Sequence, residues 1–317
     1  MFKNYLSRLR YEYFTAQILV FFSRPVYRSA HFFIRWVQKK IKVNGKSVIY
    51  QGVKIHFPKN VGINILSRIQ WQKEDGFEPL TARTLIPLFK TGDFYLDIGS
   101  NFGFYSVLAQ KLNDRIGVIC FEPLPNIFQD NLKFHAKNGT VNQRTENVAI
   151  SNTLGEVKFY VPDISLAESE ITSASLESNF FYNKQFEQKQ ITVNCKTLDS
   201  LPTDEVNKWK EKKLILKIDV EGHERSVLEG GLQFFDTMRP WTVMEIDKDP
   251  RNLALIYPIL TSLRYNAYGI TQVGYFKLSL QSFLDFKGGR DFLLIPQELS
   301  KGIDYYSFDT FQKLNGQ

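Results

Sequence analysis

The sequence predicts an α/β fold, because short apolar runs alternate with helical patterns through the middle of the chain. Runs at residues 94–96 (FYL), 117–121 (GVICF) and 214–216 (LIL) have the length and composition of buried strands. Each run ends in a turn, and a segment with apolar residues at helical spacing follows. A further run at residues 241–246 (WTVMEI) predicts another strand.

The first of these strands runs into residues 97–103, which read DIGSNFG. Gly99 and Gly103 let the backbone approach a ligand where a Cβ atom would collide. Ser100 and Asn101 can cap the next helix, whose free N–H groups point into the same space. The turn therefore predicts a nucleotide-binding loop, with a purely structural turn as the alternative. It lacks one glycine of the dinucleotide fingerprint and the lysine of a phosphate-binding loop.

Glu122 stands at the end of the second strand, about twenty residues after the glycine turn. A carboxylate at this position is placed to accept hydrogen bonds from both hydroxyls of a ribose. Pro125 then suits the first turn of a helix that ends near Asn138-Gly139. An unpaired surface glutamate is the alternative, but the strand-end position and the spacing both favour ribose binding.

The third segment, residues 217–224, reads KIDVEGHE and follows the strand at 214–216. In an extended backbone Asp219 and Glu221 lie on one face, where two carboxylates repel and raise each other's pKa. Glu224 falls in the first turn of the next helix, where a negative charge is favourable. Helix capping and salt bridging are sufficient explanations for Glu224 and Lys217, but less so for Asp219 with Glu221.

Taken in order, DIGSNFGFYS, FEPLPNIFQDNLKFHAKN and LKIDVEGHERSVLEGG resemble the FkbM family of S-adenosylmethionine-dependent methyltransferases. The resemblance covers residues 71–247, and the LKIDVEGHE block is its most specific part. It implies a doubly wound, Rossmann-like class I methyltransferase sheet with S-adenosylmethionine across the strand ends. It also implies transfer of the cofactor's methyl group to an oxygen atom, often on a sugar, a glycan or a related metabolite.

The resemblance also implies roles for individual residues. The methionine part of the cofactor would be lined by Asp97, Gly99, Asn101 and Gly103. The ribose would be held by Glu122, and the adenine would have Asn147 as a neighbour near the end of a third strand at 146–150. The methyl group and the acceptor would be faced by Asp219, Glu221 and His223. Ser100 departs from the Ala or Asn usual in the family, and it is small enough to fit.

An alcohol acceptor must lose its proton, and a base that titrates near neutrality suits this step. Of the four histidines, only His223 lies in a site-forming segment, so we expect it to be the general base. A surface histidine packing on nearby acids is the alternative, and Asp219 is the second candidate for the base. Asp219, Glu221 and Asp247 are also ligands of the type that binds magnesium. The sequence assigns no metal site.

The basic charge of the chain is concentrated at its N-terminus. The net charge is +7, but residues 1–46 hold ten Lys or Arg and one Glu, a balance of +9 that leaves −2 for the rest. We divide the chain into this basic, aromatic, helical region and a methyltransferase domain at 47–317. The longest apolar run of the N-terminal region, residues 16–22, is too short to cross a bilayer. Three alternatives stay open for this region: peripheral contact with an anionic membrane, contact with an acidic partner, or helices packing on the domain. No nucleic-acid motif accompanies the charge.

Other elements are predicted around this framework. Alternating residues between 43 and 58, with Asn44-Gly45, indicate a small hairpin. A polar stretch at 163–190 lies between expected strands at 156–161 and 190–195, and it suits either a lid over the acceptor or a mobile loop. Strands at 275–283 and 292–296 are expected to close the sheet as an antiparallel hairpin.

Two other classes of function remain open on the sequence alone. A nicotinamide-dependent oxidoreductase would use the same strand, turn and acidic strand end, but it should carry the full glycine fingerprint. A non-catalytic protein that binds the cofactor or a glycan would have His223 and Asp219 pointing away from the cleft. The two cysteines, Cys120 and Cys195, form no disulfide framework, and we expect a reduced, cytoplasmic setting. The oligomeric state has no sequence signal.

Overall fold

The computed structural model describes residues 47–162, 188–246, 250–305 and 307. The basic N-terminal region at 1–46, the polar stretch at 163–187 and Asp247 lie outside the described residues, and so do the expectations attached to them. Within the described residues, no helix is both long and apolar enough to span a membrane.

An eight-stranded sheet forms the centre of the molecule, in the order β5-β4-β3-β9-β10-β13-β11-β12. The first five strands in this order are parallel to one another. The strands of this sheet are β3 (Phe94–Ile98), β4 (Gly117–Phe121), β5 (Gln143–Glu146), β9 (Leu214–Ile218), β10 (Trp241–Glu245), β11 (Tyr265–Thr271), β12 (Gly274–Leu278) and β13 (Asp291–Pro296).

Helices cover both faces of this sheet. They are α1 (Ile63–Gln72), α2 (Pro79–Thr91), α3 (Phe104–Leu112), α4 (Pro125–Asn138), α5 (Thr203–Trp209), α6 (Glu224–Glu229), α7 (Leu232–Met238), α8 (Pro250–Ser262) and α9 (Leu280–Asp285). As predicted, Pro125 begins α4, and Gly139 ends it with a left-handed backbone. Side chains of α1 to α4 pack on one face of the sheet, and those of α5 to α9 pack on the other.

The apolar residues of a central strand alternate between these two layers. In β9, Leu216 and Ile218 belong to the layer of α5 to α9, whereas Ile215 belongs to the layer of α1 to α4. This burial on both faces explains why the strands read as continuous apolar runs. The predicted doubly wound sheet is confirmed.

The remaining strands form two small sheets. The hairpin predicted between 43 and 58 consists of β1 (Ser47–Tyr50) and β2 (Val53–His56), with its turn at Gln51-Gly52. The predicted strands at 156–161 and 190–195 are β7 (Gly155–Pro162) and β8 (Gln188–Lys196), which pair antiparallel. The strand expected at 146–150 is divided, because β5 ends at Glu146 and Ala149-Ile150 (β6) pairs with β8 instead.

The sheet is closed by antiparallel strands, as predicted, but the hairpin has different members. β12 pairs with β11 across a turn at Gln272-Val273, and β11 also pairs with β13. The strand predicted at 275–283 ends at Leu278, because Ser279 forms a capping box that begins α9. β12 and β13 therefore do not pair with each other, and β11 lies between them.

The strand order places a reversal of direction next to β3. The chain moves from β3 outward to β4 and β5, and then returns to place β9 on the other side of β3. At such a point the loops after the two central strands separate and leave a crevice, which is where open α/β sheets bind ligands. The loops at this crevice are residues 99–103 after β3 and residues 219–223 after β9.

Candidate active site

A cavity of about 340 Å³ lies at the carboxyl ends of β3, β4, β9 and β10. Its volume falls in the range of small-molecule sites. The glycine turn, the end of β4 and the segment after β9 all contribute to the lining, so the three segments singled out in the sequence meet in one place. The lining includes seven of the nine predicted site residues: Asp97, Gly99, Asn101, Glu122, Asp219, Glu221 and His223.

The two glycines of the turn are needed for contacts within the protein. Gly99 has a φ of +77°, and a Cβ atom there would lie 1.9 Å from the carbonyl oxygen of Asp219. Gly103 has a φ of +85°, and its Cβ atom would lie 2.8 Å from Nδ2 of Asn131. Gly103 itself is the N-cap of α3, with no side-chain cap. The expected capping by Ser100 and Asn101 was therefore wrong, because the turn places both residues ahead of the cap.

Asn131, a fully buried residue of α4, supports the turn from behind. Its Nδ2 donates to Oγ of Ser100 at 3.1 Å and to the carbonyl of Asn101 at 3.0 Å. Its Oδ1 accepts from Oγ1 of Thr145 at 2.8 Å. Three hydrogen bonds thus fix this amide, and the amide in turn fixes the two residues between the glycines.

Glu122 joins the end of β4 to the glycine turn. Its Oε2 accepts from the backbone N–H of Asn101, and its Oε1 accepts from that of Leu124, both at 2.9 Å. Burial raises the pKa of the Glu122 carboxyl to about 7, although the two N–H donors oppose the shift. Each carboxylate oxygen has a second lone pair, so the group can still accept from ligand hydroxyls.

Gly103 and Asn147 do not line the cavity. Nδ2 of Asn147 donates to the carbonyls of Glu122 and Pro123, each at 2.9 Å. Asn147 therefore holds the chain just after β4. Its predicted contact with an adenine stays a prediction.

At the other end of the cavity, one buried lysine faces several acids. Nζ of Lys217 lies 2.7 Å from Oδ2 of Asp219. Asp97 pairs with Lys217 in the register of β3 and β9, so both side chains point to the same face. Burial alone would lower the pKa of Lys217, but Asp219, Glu78 and Asp97 outweigh it and raise the pKa. The lysine is thus held as a cation.

Asp97 is buried and hydrogen-bonded within the protein. Its Oδ2 accepts from Oγ of Ser106 at 2.5 Å, and Ser106 accepts from the thiol of Cys120 at 3.0 Å. Burial raises the pKa of Asp97, and the charge of Lys217 opposes this. Burial also raises the pKa of the Cys120 thiol to about 12, so this cysteine is a donor in the network and not a nucleophile.

Glu78 is a site residue that the sequence left without a role. It precedes α2, where its φ is +36°, and its side chain lines the cavity. Its Oε2 is buried and has no hydrogen-bond partner among the described residues. Burial raises the pKa of Glu78 to about 8, against the charge of Lys217. Buried polar atoms are normally paired, so this oxygen points to a donor on a ligand.

Glu245 and Arg290 form an ion pair at the rim of the cavity, where β10 ends and β13 begins. Burial and the charge of Asp219 raise the pKa of Glu245 to about 7, although Arg290 opposes this shift. Beside them, Asp291 accepts a hydrogen bond from Oγ1 of Thr81 at 2.8 Å, and burial raises its pKa. Nothing in the sequence near Arg290 indicates that it lies at this site.

His223 is the N-cap of α6, and it lines the cavity. Its Nε2 lies 2.7 Å from Oγ of Ser151, which is buried. Glu221 has a left-handed backbone with a φ of +51°, so Asp219 and Glu221 are not two residues of one extended strand. Glu224 is buried, and its Oε1 accepts from the N–H of Gly222 at 2.9 Å. Burial raises the pKa of Glu224 to about 8.

An apolar region of the lining begins next to Glu122. Leu124, Ile127, Ala149 and Phe159 pack together in one cluster, and all four line the cavity. The cavity therefore has an apolar end, a carboxylate in the middle and an acidic end. This order suits a ligand with an aromatic base, a ribose and a positively charged group.

No group of three or more His, Cys, Asp or Glu side chains suited to a metal ion occurs within residues 47–162, 188–246 and 250–305. Asp219 and Glu221 both lie at the cavity, but Asp247, the third ligand considered, is outside the described part of the chain.

The strand order, the helices on both faces and the cavity at the strand ends define a Rossmann-like class I methyltransferase fold. The sequence profile of the family described as the methyltransferase FkbM domain matches residues 97–268, more than half of the chain. The chain therefore belongs to the FkbM methyltransferase family, and its cofactor is S-adenosylmethionine. This result leaves no support for the nicotinamide alternative.

Solved structures similar to this chain include three methyltransferases. The first is the FkbM methyltransferase from Methylobacillus flagellatus KT, with 13% identity, a TM-score of 0.40 and coverage of 74% of this chain and 53% of that one. The chain thus spans about half the length of that protein. The second is precorrin-6y C5,15-methyltransferase from Geobacter metallireducens GS-15, with 12% identity, a TM-score of 0.36 and coverage of 75% and 97%.

The third is a SAM-dependent methyltransferase from Aquifex aeolicus, with 13% identity, a TM-score of 0.35 and coverage of 69% and 90%. The comparison with curated proteins returned no match.

The residues present fit S-adenosylmethionine. The apolar cluster beside Leu124 suits the adenine, and the carboxylate of Glu122 suits the ribose. The buried, unpaired Oε2 of Glu78 and the carboxylate of Asp97 suit the cationic end of the cofactor. A ligand group with no N–H or O–H would leave the Glu78 oxygen without a donor.

Proposed function

We propose that this protein transfers a methyl group to a hydroxyl oxygen of a sugar, a glycan or a related metabolite. The observation that carries the proposal is that His223, Asp219 and Glu221 line the same cavity as the glycine turn and Glu122. A candidate proton acceptor and the candidate cofactor-binding residues therefore share one cavity. S-adenosylmethionine, when bound, supplies an electrophilic methyl group on a sulfonium.

In this proposal His223 is the general base. A neutral imidazole at the cavity wall can take the proton of an acceptor hydroxyl as its oxygen attacks. Asp219 is already paired with a cation of the protein, since its Oδ2 lies 2.7 Å from Nζ of Lys217. Asp219 then orients the acceptor or the cofactor, and Glu221 contributes a second hydrogen-bond acceptor at the wall.

The lining also favours a polyhydroxylated acceptor. The Glu245–Arg290 ion pair offers acceptors and donors that can bind neighbouring hydroxyls. Phe77 and Tyr105 add aromatic surface to the same lining, against which the C–H face of a sugar ring can pack.

A screen of nucleotide sugars, glycolipids and oligosaccharides for methyl uptake tests the acceptor class. Mass spectrometry of the product then locates the new methyl group on oxygen, nitrogen or carbon. Methylation only of amines or carbon atoms would contradict the proposed oxygen acceptor.

The base is tested with His223→Ala. We expect loss of methyl transfer with unchanged affinity for S-adenosylhomocysteine in calorimetry. His56→Ala is the matched control, since only the backbone of His56 is hydrogen-bonded to Asn138. Unchanged turnover in His223→Ala would assign the base to Asp219 or to a metal.

The non-catalytic alternative predicted that His223 and Asp219 point away from the cleft. Both residues line the cavity, which favours catalysis over mere binding. Peripheral contact of residues 1–46 with an anionic membrane and a cytoplasmic location stay predictions. Sedimentation of the full chain with vesicles of anionic and of neutral lipids tests the membrane contact.

A further inference from the structure

Two side chains of opposite charge line the cavity on the wall formed by α1 and the start of α2. Arg68 of α1 lines it together with Asn64 and Ile65, which lie four and three residues earlier in the helix and so share its face. Glu78, the residue just ahead of α2, lines the same cavity. This wall thus presents a guanidinium and a carboxylate.

The chain between the two helices brings these residues close together. A Cβ atom on Gly76 would lie 2.5 Å from the carbonyl oxygen of Arg68, so the chain crosses directly over α1 at this residue. Glu78 follows two residues later, a stretch that spans at most about 7 Å. The long side chain of Arg68 and the carboxylate of Glu78 can therefore reach the same part of the cavity.

Packing against α3 fixes the position of Glu78. Its backbone is left-handed with a φ of +36°, and its carbonyl oxygen accepts from the hydroxyl of Tyr105 at 3.3 Å. The preceding residue, Phe77, packs edge-on against Phe104 with their ring centroids 5.1 Å apart. Glutamate rarely adopts this backbone region, and residues held in it are concentrated at sites that bind ligands.

Arg68 and Glu78 are also less compensated than the other charged groups of the lining. Several of those groups have partners within the protein: Asp219 with Lys217, Glu245 with Arg290, and Asp97 with Ser106. Arg68 forms no ion pair in the described part of the chain, and Oε2 of Glu78 has no hydrogen-bond partner there. One wall therefore offers a positive and a negative group, each with capacity for a ligand.

We propose that Glu78 binds the α-ammonium group of S-adenosylmethionine and that Arg68 binds its α-carboxylate. The methionine part of the cofactor carries these two opposite charges on one carbon atom, which matches two charged groups on one wall. Neither residue lies within residues 97–268, to which the family profile matches. The inference rests on the cofactor and is independent of the acceptor proposed above.

The two contacts should differ in strength because their surroundings differ. A hydrogen bond from an ammonium to a carboxylate with a buried oxygen is charge-assisted and shielded from water. Arg68 is exposed, and exposed ion pairs contribute little. We therefore expect Glu78 to supply most of the affinity, and Arg68 to supply a smaller preference for ligands that carry the carboxylate.

Calorimetry with three ligands separates the two contacts. S-adenosylhomocysteine has both charged groups, its decarboxylated analogue has only the ammonium, and methylthioadenosine has neither. Glu78→Gln should lower the affinity for the first two by about tenfold or more and leave the third unchanged. Arg68→Gln should lower the affinity for S-adenosylhomocysteine alone, by about fivefold, and Arg68→Lys should restore part of this loss.

Two matched substitutions away from the cavity are the controls. Glu211→Gln changes another glutamate with a left-handed backbone, at a φ of +61°, and Arg115→Gln changes another exposed arginine, of which only the backbone is hydrogen-bonded. Neither residue lines the cavity, so both variants should bind all three ligands as the wild type does. Binding of methylthioadenosine also shows that each variant is folded.

The pattern across the ligands decides the outcome. Equal losses for all three ligands in Glu78→Gln would mean that Glu78 only maintains the shape of the site, which would overturn the ammonium contact. Unchanged affinity of Arg68→Gln for S-adenosylhomocysteine would overturn the carboxylate contact. If the pattern holds but the wild type methylates no hydroxyl, the proposed function fails and this inference stands. If a hydroxyl is methylated but the pattern is absent, this inference alone fails.

Discussion

Gly99→Ala is expected to disable cofactor binding, because the new Cβ atom would meet the backbone of Asp219, directly after β9. The atom would lie 1.9 Å from the carbonyl oxygen of Asp219, and real Cβ atoms essentially never come closer than 3.0 Å to such a neighbour. The turn and the end of β9 must therefore move about 1 Å apart, a displacement that can cost about 100-fold in rate. The left-handed backbone, with a φ of +77°, adds roughly 1–2 kcal/mol of strain for alanine.

The effect on affinity follows from the hydrogen bonds that hold the turn. The N–H groups of Gly99 and Ser100 donate to the carbonyl of Phe121 at 3.0 and 3.1 Å, and that of Asn101 donates to Glu122 at 2.9 Å. Each bond contributes about 1 kcal/mol, so losing all three costs roughly 3 kcal/mol. If the ligand must restore them on binding, its affinity falls by about 100-fold.

Gly52→Ala is the matched control for this change. Gly52 lies in the turn between β1 and β2 with a φ of +79°, and nothing lies within 4 Å of its Cβ position. Gly52→Ala therefore introduces the same backbone strain as Gly99→Ala, but without the collision. Calorimetry with S-adenosylhomocysteine, together with thermal unfolding, separates the two effects. If Gly99→Ala binds the ligand as tightly as Gly52→Ala does, the collision with Asp219 has no consequence and the reasoning is refuted.

Three further changes test the rest of the cavity. The Glu122 carboxyl has a pKa of about 7, so wild-type affinity for S-adenosylhomocysteine should fall up to about tenfold from pH 8 to pH 6 as the acceptor loses its charge, and Glu122→Gln should remove most of this dependence. Lys217→Met leaves buried carboxylates uncompensated and should lower the free energy of unfolding by roughly 3–5 kcal/mol in urea denaturation, with partial recovery when Asp219→Asn is added. Asn131→Asp keeps the shape but removes the donor to Ser100, and calorimetry should show affinity lowered about tenfold.

Each of these expectations has a result that contradicts it. If the affinity of Glu122→Gln for S-adenosylhomocysteine depends on pH as the wild-type affinity does, the pH dependence belongs to another acid, such as Glu78. A Lys217→Met variant as stable as the wild type would mean that the nearby carboxylates are protonated. Unchanged affinity in Asn131→Asp would show that the glycine turn keeps its shape without support from α4.

The segments that the sequence located correctly are those with strong local signals. Apolar runs bounded by turns predicted β3, β4 and β9, and Pro125 and Gly139 predicted the ends of α4. The position of the glycine turn, directly after a buried strand, followed from these runs alone. These elements were predictable because neighbours in sequence determine them.

Other features depend on contacts between distant parts of the chain. β11 was missed because its pairing with β12 and β13 leaves no distinctive local pattern, and the strand predicted through Ser279 ended there because that residue starts a helix. Glu78 was given no role, since nothing near it in sequence indicates a left-handed backbone or a buried carboxylate oxygen without a hydrogen-bond partner among the described residues. Such information exists only once the elements pack together.

Gly99 and Gly103 were correctly predicted to be required in the turn, but the reason that the sequence suggests differs from the one in the structure. The sequence attributes Gly99 and Gly103 to close approach of a ligand, whereas the collisions are with Asp219 and Asn131. The turn therefore packs between the end of β9 and α4, and Glu122 accepts a hydrogen bond from it. All of these contacts are within the protein itself. A loop that is already ordered in this way loses little conformational entropy when a ligand binds. It follows that substitutions behind the turn, at residues that touch no ligand, should weaken cofactor binding as much as substitutions in the cavity wall.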